Sequence, residues 1–368
     1  MEPIKIGIIG VGQIGKAHIE IYSNMENVRI TAIAGTIAHE QELGFIADRF
    51  NIPHIYTDFR ELLKRDDIDA VDVCLHNNLH APVTIEALRA GKHVYCEKPI
   101  AGTYADGKTM LEASVEAGKM LHIQLGHFYT KETKAARHLI KAGALGKIYH
   151  ARSSGYRRRG RPYVDGYGSP NFVRMEAACG GALIDSGVYN ISQLLYLMDM
   201  PAVERISGKI YQETGMDHAR RISGGYDVEE LGLGFVRFEK NITMDIIDSW
   251  AIHMNSFDGS FIAGDKGGIR LSPFSYHTTF NDMEMDCTCD LDKIDWRWHQ
   301  LRENEYAYDS PEQHWIAALQ GKTGLLPTTE ITLLAMLISE GIYLSSRLGR
   351  EVTSGEVMAN SKSTAAKI

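Results

Sequence analysis

A lysine set between an acid and a proline, Glu97-Lys98-Pro99, closes the short β-branched run KHVYC at residues 92–96. Such a lysine can donate to a substrate oxygen and, if burial lowers its pKa, shuttle a proton. Pro99 keeps Lys98 in extended backbone and admits a cis bond. A second group stands in GGALIDSGVYN (180–190), where Asp185 and Tyr189 are four residues apart and share one helical face. An acid and a phenol there can meet a substrate. The competing reading makes Tyr189 a half-buried core residue and leaves the proton to Lys98 alone. Gly187, between them, costs a helix about 1 kcal/mol against alanine, which asks for the close approach of a cofactor or strand. A neutral phenol, with a pKa of about 10, is a poor base near neutrality. A neighbouring ammonium would lower that value, and a Lys98–Tyr189 pair would titrate as one unit.

The third constellation is G-x-G-x-x-G, formed by Gly10, Gly12 and Gly15, with Gln13 and Ile14 opening the helix that follows. The first glycine permits a tight turn. The second lets backbone N–H groups approach a pyrophosphate, and the third lets helix and sheet pack closely. The helix N-terminus then faces the phosphates with its partial positive charge. After a strand and before a helix, this points to a dinucleotide. An acid normally ends the second strand to hold the ribose of NAD. Here Gly35 and Thr36 stand in that place, with no arginine for a 2′-phosphate. Thr36 can hydrogen-bond a ribose. NAD is preferred, and NADP stays open.

Elements able to position these groups are legible in the pattern. IKIGIIG (4–10), VRITAIAG (28–35), AVDVCL (70–75), KHVYCE (92–97) and MLHIQLG (120–126) are short apolar runs. Helical stretches near 14–24, 40–50, 58–65, 81–91 and 104–118 separate them. That alternation predicts an α/β fold whose parallel sheet is covered on both faces. Lys98 then lies beyond a strand's carboxyl end, where open α/β sheets bind ligands. After residue 200, RISGKIYQE, DVEELGLGFVRF, NITMDIIDSWAI and GSFIAGDKGGIRL predict successive strands, and two helices close the pattern.

Length and composition set the outer limits. At 368 residues the chain exceeds what one core supports, so two domains are expected. Lys plus Arg is 39 against 47 for Asp plus Glu, a net charge of −8 that argues against nucleic-acid or anionic-membrane partners. No run reaches the apolar length of a membrane span, and the N-terminus lacks signal-peptide character, so a cytoplasmic location is expected. Five scattered cysteines predict free thiols. Cys287-x-Cys289, even with His277 and His299, matches no standard metal spacing, and no metal is expected.

Taken together, GIIGVGQIGKAH, CLHNNLHAP (74–82), EKP, IKAGALGKIYHARS (140–153) and FIAGDKGGIRL (261–271) resemble the Gfo/Idh/MocA oxidoreductases over nearly the whole chain. The resemblance implies an N-terminal Rossmann domain, a doubly wound parallel sheet over 1–126. It implies a C-terminal α/β domain over 127–368, with a large open, mostly antiparallel sheet for substrate and oligomer contacts. C-terminal helices would pack back on the first domain. Asn77 and His80 match the family's Thr-Pro-Asn-x-x-His loop, with Leu75 and His76 replacing Thr and Pro. With Glu97 and Lys98 they join the implied cofactor residues. The family's Gly-Gly-Gly-x-x-x-Asp-x-Gly-x-His pattern reappears with Cys179 for one glycine, Asp185 kept, and Tyr189 for the histidine usually assigned to proton transfer. Lys98, Asp185 and Tyr189 are thus the implied catalytic set.

The implied activity is NAD(P)-dependent hydride transfer at a ring hydroxyl of a sugar, glycoside or cyclitol, by a dimer or larger homo-oligomer. Net non-redox glycoside cleavage or elimination through transient oxidation is one alternative. A non-catalytic NAD(P)-binding regulator is another. GYRRRGRPYVDGYG (155–168) offers Tyr156 and Arg158 to grip a polyol, or else forms an interface. His127 and His314 are lesser candidates. The acidic, aromatic segment 272–310 either folds over the site or meets another subunit.

Overall fold

The computed structural model describes residues 2–301 and 306–368, so residues 302–305 of the segment 272–310 lie outside the described residues. Six strands, β1 (Ile4–Ile9), β2 (Val28–Ala34), β3 (His54–Tyr56), β4 (Ala70–Val73), β5 (His93–Cys96) and β6 (Leu121–Ile123), form a parallel sheet in the order β3-β2-β1-β4-β5-β6. Strands buried on both faces need continuous apolar runs. IKIGII and AVDV supply them, pairing Ile6 with Ala70 and Ile9 with Val73. The order reverses between β1 and β4, and a crevice opens there at the strands' carboxyl ends. The expected strands all form. β3 was not read from the sequence, because its three residues are too few to show a pattern.

A second sheet has nine strands. They are β7 (Ile148–Tyr156), β8 (Val203–Tyr211), β9 (Leu231–Phe238), β10 (Ile242–Ser249), β11 (Phe261–Gly264), β12 (Gly267–Arg270), β13 (Ser275–Phe280), β14 (Met283–Cys287) and β15 (Val352–Thr353). They lie in the order β14-β13-β12-β11-β7-β10-β9-β8-β15, with only the β7–β10 pair parallel. The segment 272–310 contributes β13 and β14 to one edge and a helix, Leu291–Leu301, whose Asp292 accepts from Lys131. All five cysteines are free thiols.

One face of this sheet is covered by the helices Val188–Leu197 and Thr328–Leu348, whose Leu194, Leu195, Ile338 and Ile342 pack with Ile206, Val236 and Ile246. The helix Thr328–Leu348 corrects one expectation. It is long and apolar enough to cross a membrane, with a mean hydropathy of 1.3, but 67% of that stretch is buried inside the protein. Its apolarity is spent between the two sheets: Leu333 and Met336 join the core of the first, and Leu337 and Ile338 that of the second. The helix Pro311–Leu319 likewise sends Trp315 and Ile316 into the core formed by Ile6, Ile8 and Ile19.

Candidate active site

The first turn is built as its glycines demand. Gly10 has φ +97°, and a Cβ there would lie 2.3 Å from the Cys74 carbonyl oxygen. A Cβ on Gly15 would lie 2.0 Å from the Gly10 carbonyl oxygen. A Cβ on Gly12 would meet nothing within 4 Å, so that position opens outward. Gly12 also caps the helix Gln13–Ser23, whose N-terminus has no side-chain cap. Its first N–H groups are thus free to meet an anion. Gln13 and Ile14 are exposed at this end, and Thr36 is exposed after β2, with its hydroxyl 2.8 Å from His39 Nδ1. An open glycine turn on an uncapped helix fits a dinucleotide.

Three other implied cofactor residues face elsewhere. His80 is fully buried, with Nδ1 2.7 Å from the Pro99 carbonyl and Nε2 3.1 Å from the Leu75 carbonyl. With its ring nitrogens set between these two carbonyls, His80 braces the lysine loop. Asn77 donates to the Ala178 carbonyl at 2.7 Å. Glu97 turns inward: Oε1 is 3.2 Å from His18 Nε2, and Oε2 accepts from the Lys98 backbone N–H at 3.1 Å. His18 also meets Asp72 at 2.9 Å and is held strongly toward its charged form: burial opposes the charge, but Asp72 and Cys74 outweigh it. The G-x-G-x-x-G helix and the lysine loop are thereby joined by a buried ionic network. Sequence reasoning missed it. The only signal was three polar residues at core positions, His18, Asp72 and Glu97.

Lys98, in cis peptide linkage to Pro99, reaches the helix of the second half. Its Nζ donates to Asp185 Oδ1 and to the Asp185 carbonyl, both at 2.8 Å. The same Nζ lies 4.9 Å from the centroid of the Tyr189 ring. Trp250 Nε1 donates to Asp185 Oδ2 at 3.1 Å, and Tyr189 donates to Gln124 Oε1 at 3.1 Å. The three residues therefore meet, but not on a plain α-helix. Leu183–Gly187 is a π-turn leading into Val188–Leu197. Such widened turns are common at functional sites. Side chains supply donors within it: Ser186 Oγ donates to the Ala182 carbonyl at 3.0 Å, and Lys98 takes the Asp185 carbonyl. Gly187 faces Asp248 of β10, where a Cβ would make only an ordinary contact at 3.4 Å, whereas a Cβ on Gly181 would lie 1.8 Å from the Glu229 carbonyl oxygen, so it is Gly181 whose place demands a glycine.

The electrostatics reverse two expectations. Burial opposes charge on Lys98, yet the Asp185 carboxylate more than offsets it, and the lysine pKa is raised. Burial pushes the Tyr189 phenol up to about 12, and Lys98 only partly counters this. Lys98 is therefore a fixed ammonium and Tyr189 a firm phenol. Asp185 is held below the usual carboxylate range: burial raises it, and Lys98 overrides that.

The strand-end arginine and tyrosine are also other than expected. Tyr156 Oη donates to the Asn255 carbonyl at 3.2 Å, its ring packs on Phe257, and Arg158 is exposed. Gly155 instead points at Asn190 and Asp248, and Arg157, two residues on, acts electrostatically on Asp185 and Asp248. Arg157 and Arg158 both follow the end of β7 and both are exposed, and it is the electrostatic action on Asp185 and Asp248 that marks Arg157. Arg157 hydrogen-bonds Tyr167, whose phenol also feels Asp185 and Lys98.

Two buried carboxylates hold the π-turn. Glu229 accepts from the Gly181 and Leu183 N–H groups at 2.8 and 3.0 Å and from Tyr343 at 2.9 Å. Asp248 accepts from Ser186 at 2.7 Å and Asn190 at 2.9 Å. Burial pushes each up to about 7, with those hydrogen bonds opposing. For Asp248 the folded value lies above the ordinary 3.8, so the native state holds the proton more tightly. Its contribution to stability is complete below about 3.8 and is lost as pH rises to about 7. Asp248→Asn keeps the bond accepted from Asn190, reverses the other so that its amide donates to the Ser186 hydroxyl, and removes this loss. Thermal melts across pH should show a flatter profile and a variant more stable than the parent above neutrality, by on the order of 2–4 kcal/mol.

Residues 4–125 match the oxidoreductase family described as having an NAD-binding Rossmann fold, and residues 133–270 match the GFO/IDH/MocA C-terminal domain. The chain is 26% identical over 362 residues to a D-glucoside 3-dehydrogenase of Escherichia coli (strain K12), covering 95% of this chain and 97% of that protein. It is 27% identical over 293 residues to a levoglucosan dehydrogenase of Pseudarthrobacter phenanthrenivorans, covering 73% of each. A solved levoglucosan dehydrogenase in complex with NADH superposes with a TM-score of 0.80 at 22% identity, over 96% of this chain and 99% of that one, and so shares its fold.

Proposed function

The chain belongs to the GFO/IDH/MocA family of NAD-binding oxidoreductases, and from that premise we propose that it oxidises a ring hydroxyl of a sugar, glycoside or cyclitol. The observation that carries this reading is Lys98 Nζ, 2.8 Å from Asp185 Oδ1 and 4.9 Å from the Tyr189 ring. Lys98 of that cluster follows the carboxyl end of β5, the end at which open α/β sheets bind their ligands. Curated relatives named for D-glucoside, levoglucosan and inositol oxidation set the substrate class.

In this reading residues 1–126 hold the cofactor and 127–368 supply the substrate side. The N–H groups at Gly12, Gln13 and Ile14 hold the pyrophosphate, and Thr36 meets the adenosine ribose. Bound NAD would supply the hydride acceptor. Lys98 donates to the reacting oxygen, Asp185 orients Lys98 and substrate, and Tyr189 contacts the hydroxyl that loses its proton. Arg157 and Tyr167 border the sugar.

The test is turnover with NAD of methyl β-D-glucoside, levoglucosan and myo-inositol, followed by NADH absorbance. NADH formation with one of them supports the reading. Product without net NADH would favour elimination through transient oxidation. Tyr189→Phe should lower kcat about 100-fold with little change in KM, since a proton-handling group acts on the chemical step.

A further inference from the structure

Taking hydride from a carbinol carbon also releases the hydroxyl proton, so the site needs a base that is free near neutrality. None of the three groups above is one. Asp185 holds Lys98 as an ammonium. Tyr189 keeps its proton to about 12. Asp185 is a weak base, with Oδ1 on Lys98 and Oδ2 on Trp250.

His127 stands beside them. It lies in the single turn Gly126–Tyr129, two residues after β6. Its ring centroid is 5.0 Å from that of Tyr189, with the planes tilted by 34°. The turn is pinned by Thr130 and Thr133, whose hydroxyls donate to the His127 carbonyl at 3.1 and 2.6 Å. His127 Nδ1 is buried without a hydrogen-bond partner among the described residues. A buried nitrogen left unpaired is costly unless it has work to do. Burial holds the imidazole below its ordinary pKa, and no charged group adds to that effect. Around Tyr189 the charged groups are Lys98 and Glu97 from the loop after β5, Asp185 from the π-turn and, farther off, His18.

We propose that His127 takes up, through the Tyr189 hydroxyl, the proton released when the substrate is oxidised. This rests on the reading of Lys98, Asp185 and Tyr189 as the reacting site. The substrate C–H bond breaks and its electron pair leaves as hydride to NAD. The O–H bond breaks as the carbonyl forms. That proton reaches the Tyr189 oxygen while the phenol's own proton, donated to Gln124 Oε1 in the resting site, turns from Gln124 and passes to the imidazole. Tyr189 ends neutral and His127 ends as imidazolium, which then releases the proton to solvent. Lys98 stays charged throughout. His127 is thus a positioning residue that acts by way of Tyr189.

The experiment compares His127→Gln and His127→Ala with the parent holoenzyme, on whichever of the three polyols turns over. Expected are a kcat about 100-fold lower in both and NADH affinity within about twofold by fluorescence. The parent rate should fall on the acid side through a pKa below about 6.5, and that limb should vanish in both variants. Added imidazole should restore part of the rate of His127→Ala only. A kcat within about threefold of the parent and an unchanged acid limb, with Tyr189→Phe still impaired, would overturn the proposal and leave the site reading intact. Full activity in Lys98→Ala and Tyr189→Phe would instead remove the site reading. Independently of any substrate, imidazole nitrogen NMR of the NADH-bound protein should show His127 neutral at neutral pH; a protonated ring overturns the proposal.

Discussion

Lys98→Ala should lower kcat/KM for ring-hydroxyl oxidation by about 1,000-fold or more, the scale seen when a preorganised donor to a developing oxyanion is removed. Two losses combine. The reacting oxygen loses its ammonium donor, and Asp185 loses the cation that keeps it ionised despite burial. Removing one partner of a buried ion pair costs about 3–5 kcal/mol. The Asp185 carboxyl pKa should then rise, with Trp250 as its remaining side-chain hydrogen-bond donor and Arg157 as the remaining cation acting on it. The melting temperature should therefore fall alongside the rate. Steady-state kinetics and melts of the same preparation check both; a loss in kcat/KM under about tenfold would exclude Lys98 from the chemistry.

Gly15→Ala should weaken NADH binding by about 100-fold, or about 2.7 kcal/mol. The added Cβ would sit 2.0 Å from the Gly10 carbonyl oxygen, so the helix must move off the turn. Overpacking of this kind costs about 1–3 kcal/mol in stability. The displacement also reaches His18, one turn further along the same helix, and through it Glu97. Titration of NADH fluorescence measures the loss. Gly12→Ala is the instructive contrast. Its Cβ meets no protein atom within 4 Å, so the apoprotein should melt like the parent while cofactor binding alone suffers.

Much of this was legible from short patterns. The alternation of apolar runs and helical stretches gave the parallel sheet, because strands buried on both faces leave a continuous signature. Glu97-Lys98-Pro99 and Asp185-x-x-x-Tyr189 located the ion pair and the phenol. What the pattern could not carry was sign and direction. Whether Lys98 lowers Tyr189 or burial raises it depends on how deeply both are enclosed, a tertiary quantity. Arg157 is not singled out by the pattern because it follows Tyr156, the last β7 residue paired with β10, and only the tertiary fold brings it toward Asp185. His127 looked like an ordinary core histidine because its neighbour Tyr189 lies far along the chain. The ionic network at His18 was hidden for the same reason, with Asp72 on β4 and Glu97 in the loop after β5.

The packing of the last helices bears on how the protein is made. Trp315 and Ile316 complete the core around Ile6 and Ile8, and Leu333 and Met336 complete the one around Val71 and Val94. While the chain is being synthesised, the opening sheet therefore waits for residues translated some three hundred positions later. A nascent N-terminal half would leave the apolar surface around those residues uncovered until then. The cofactor-binding portion could not be cut out as a free-standing module without lending it those distant side chains.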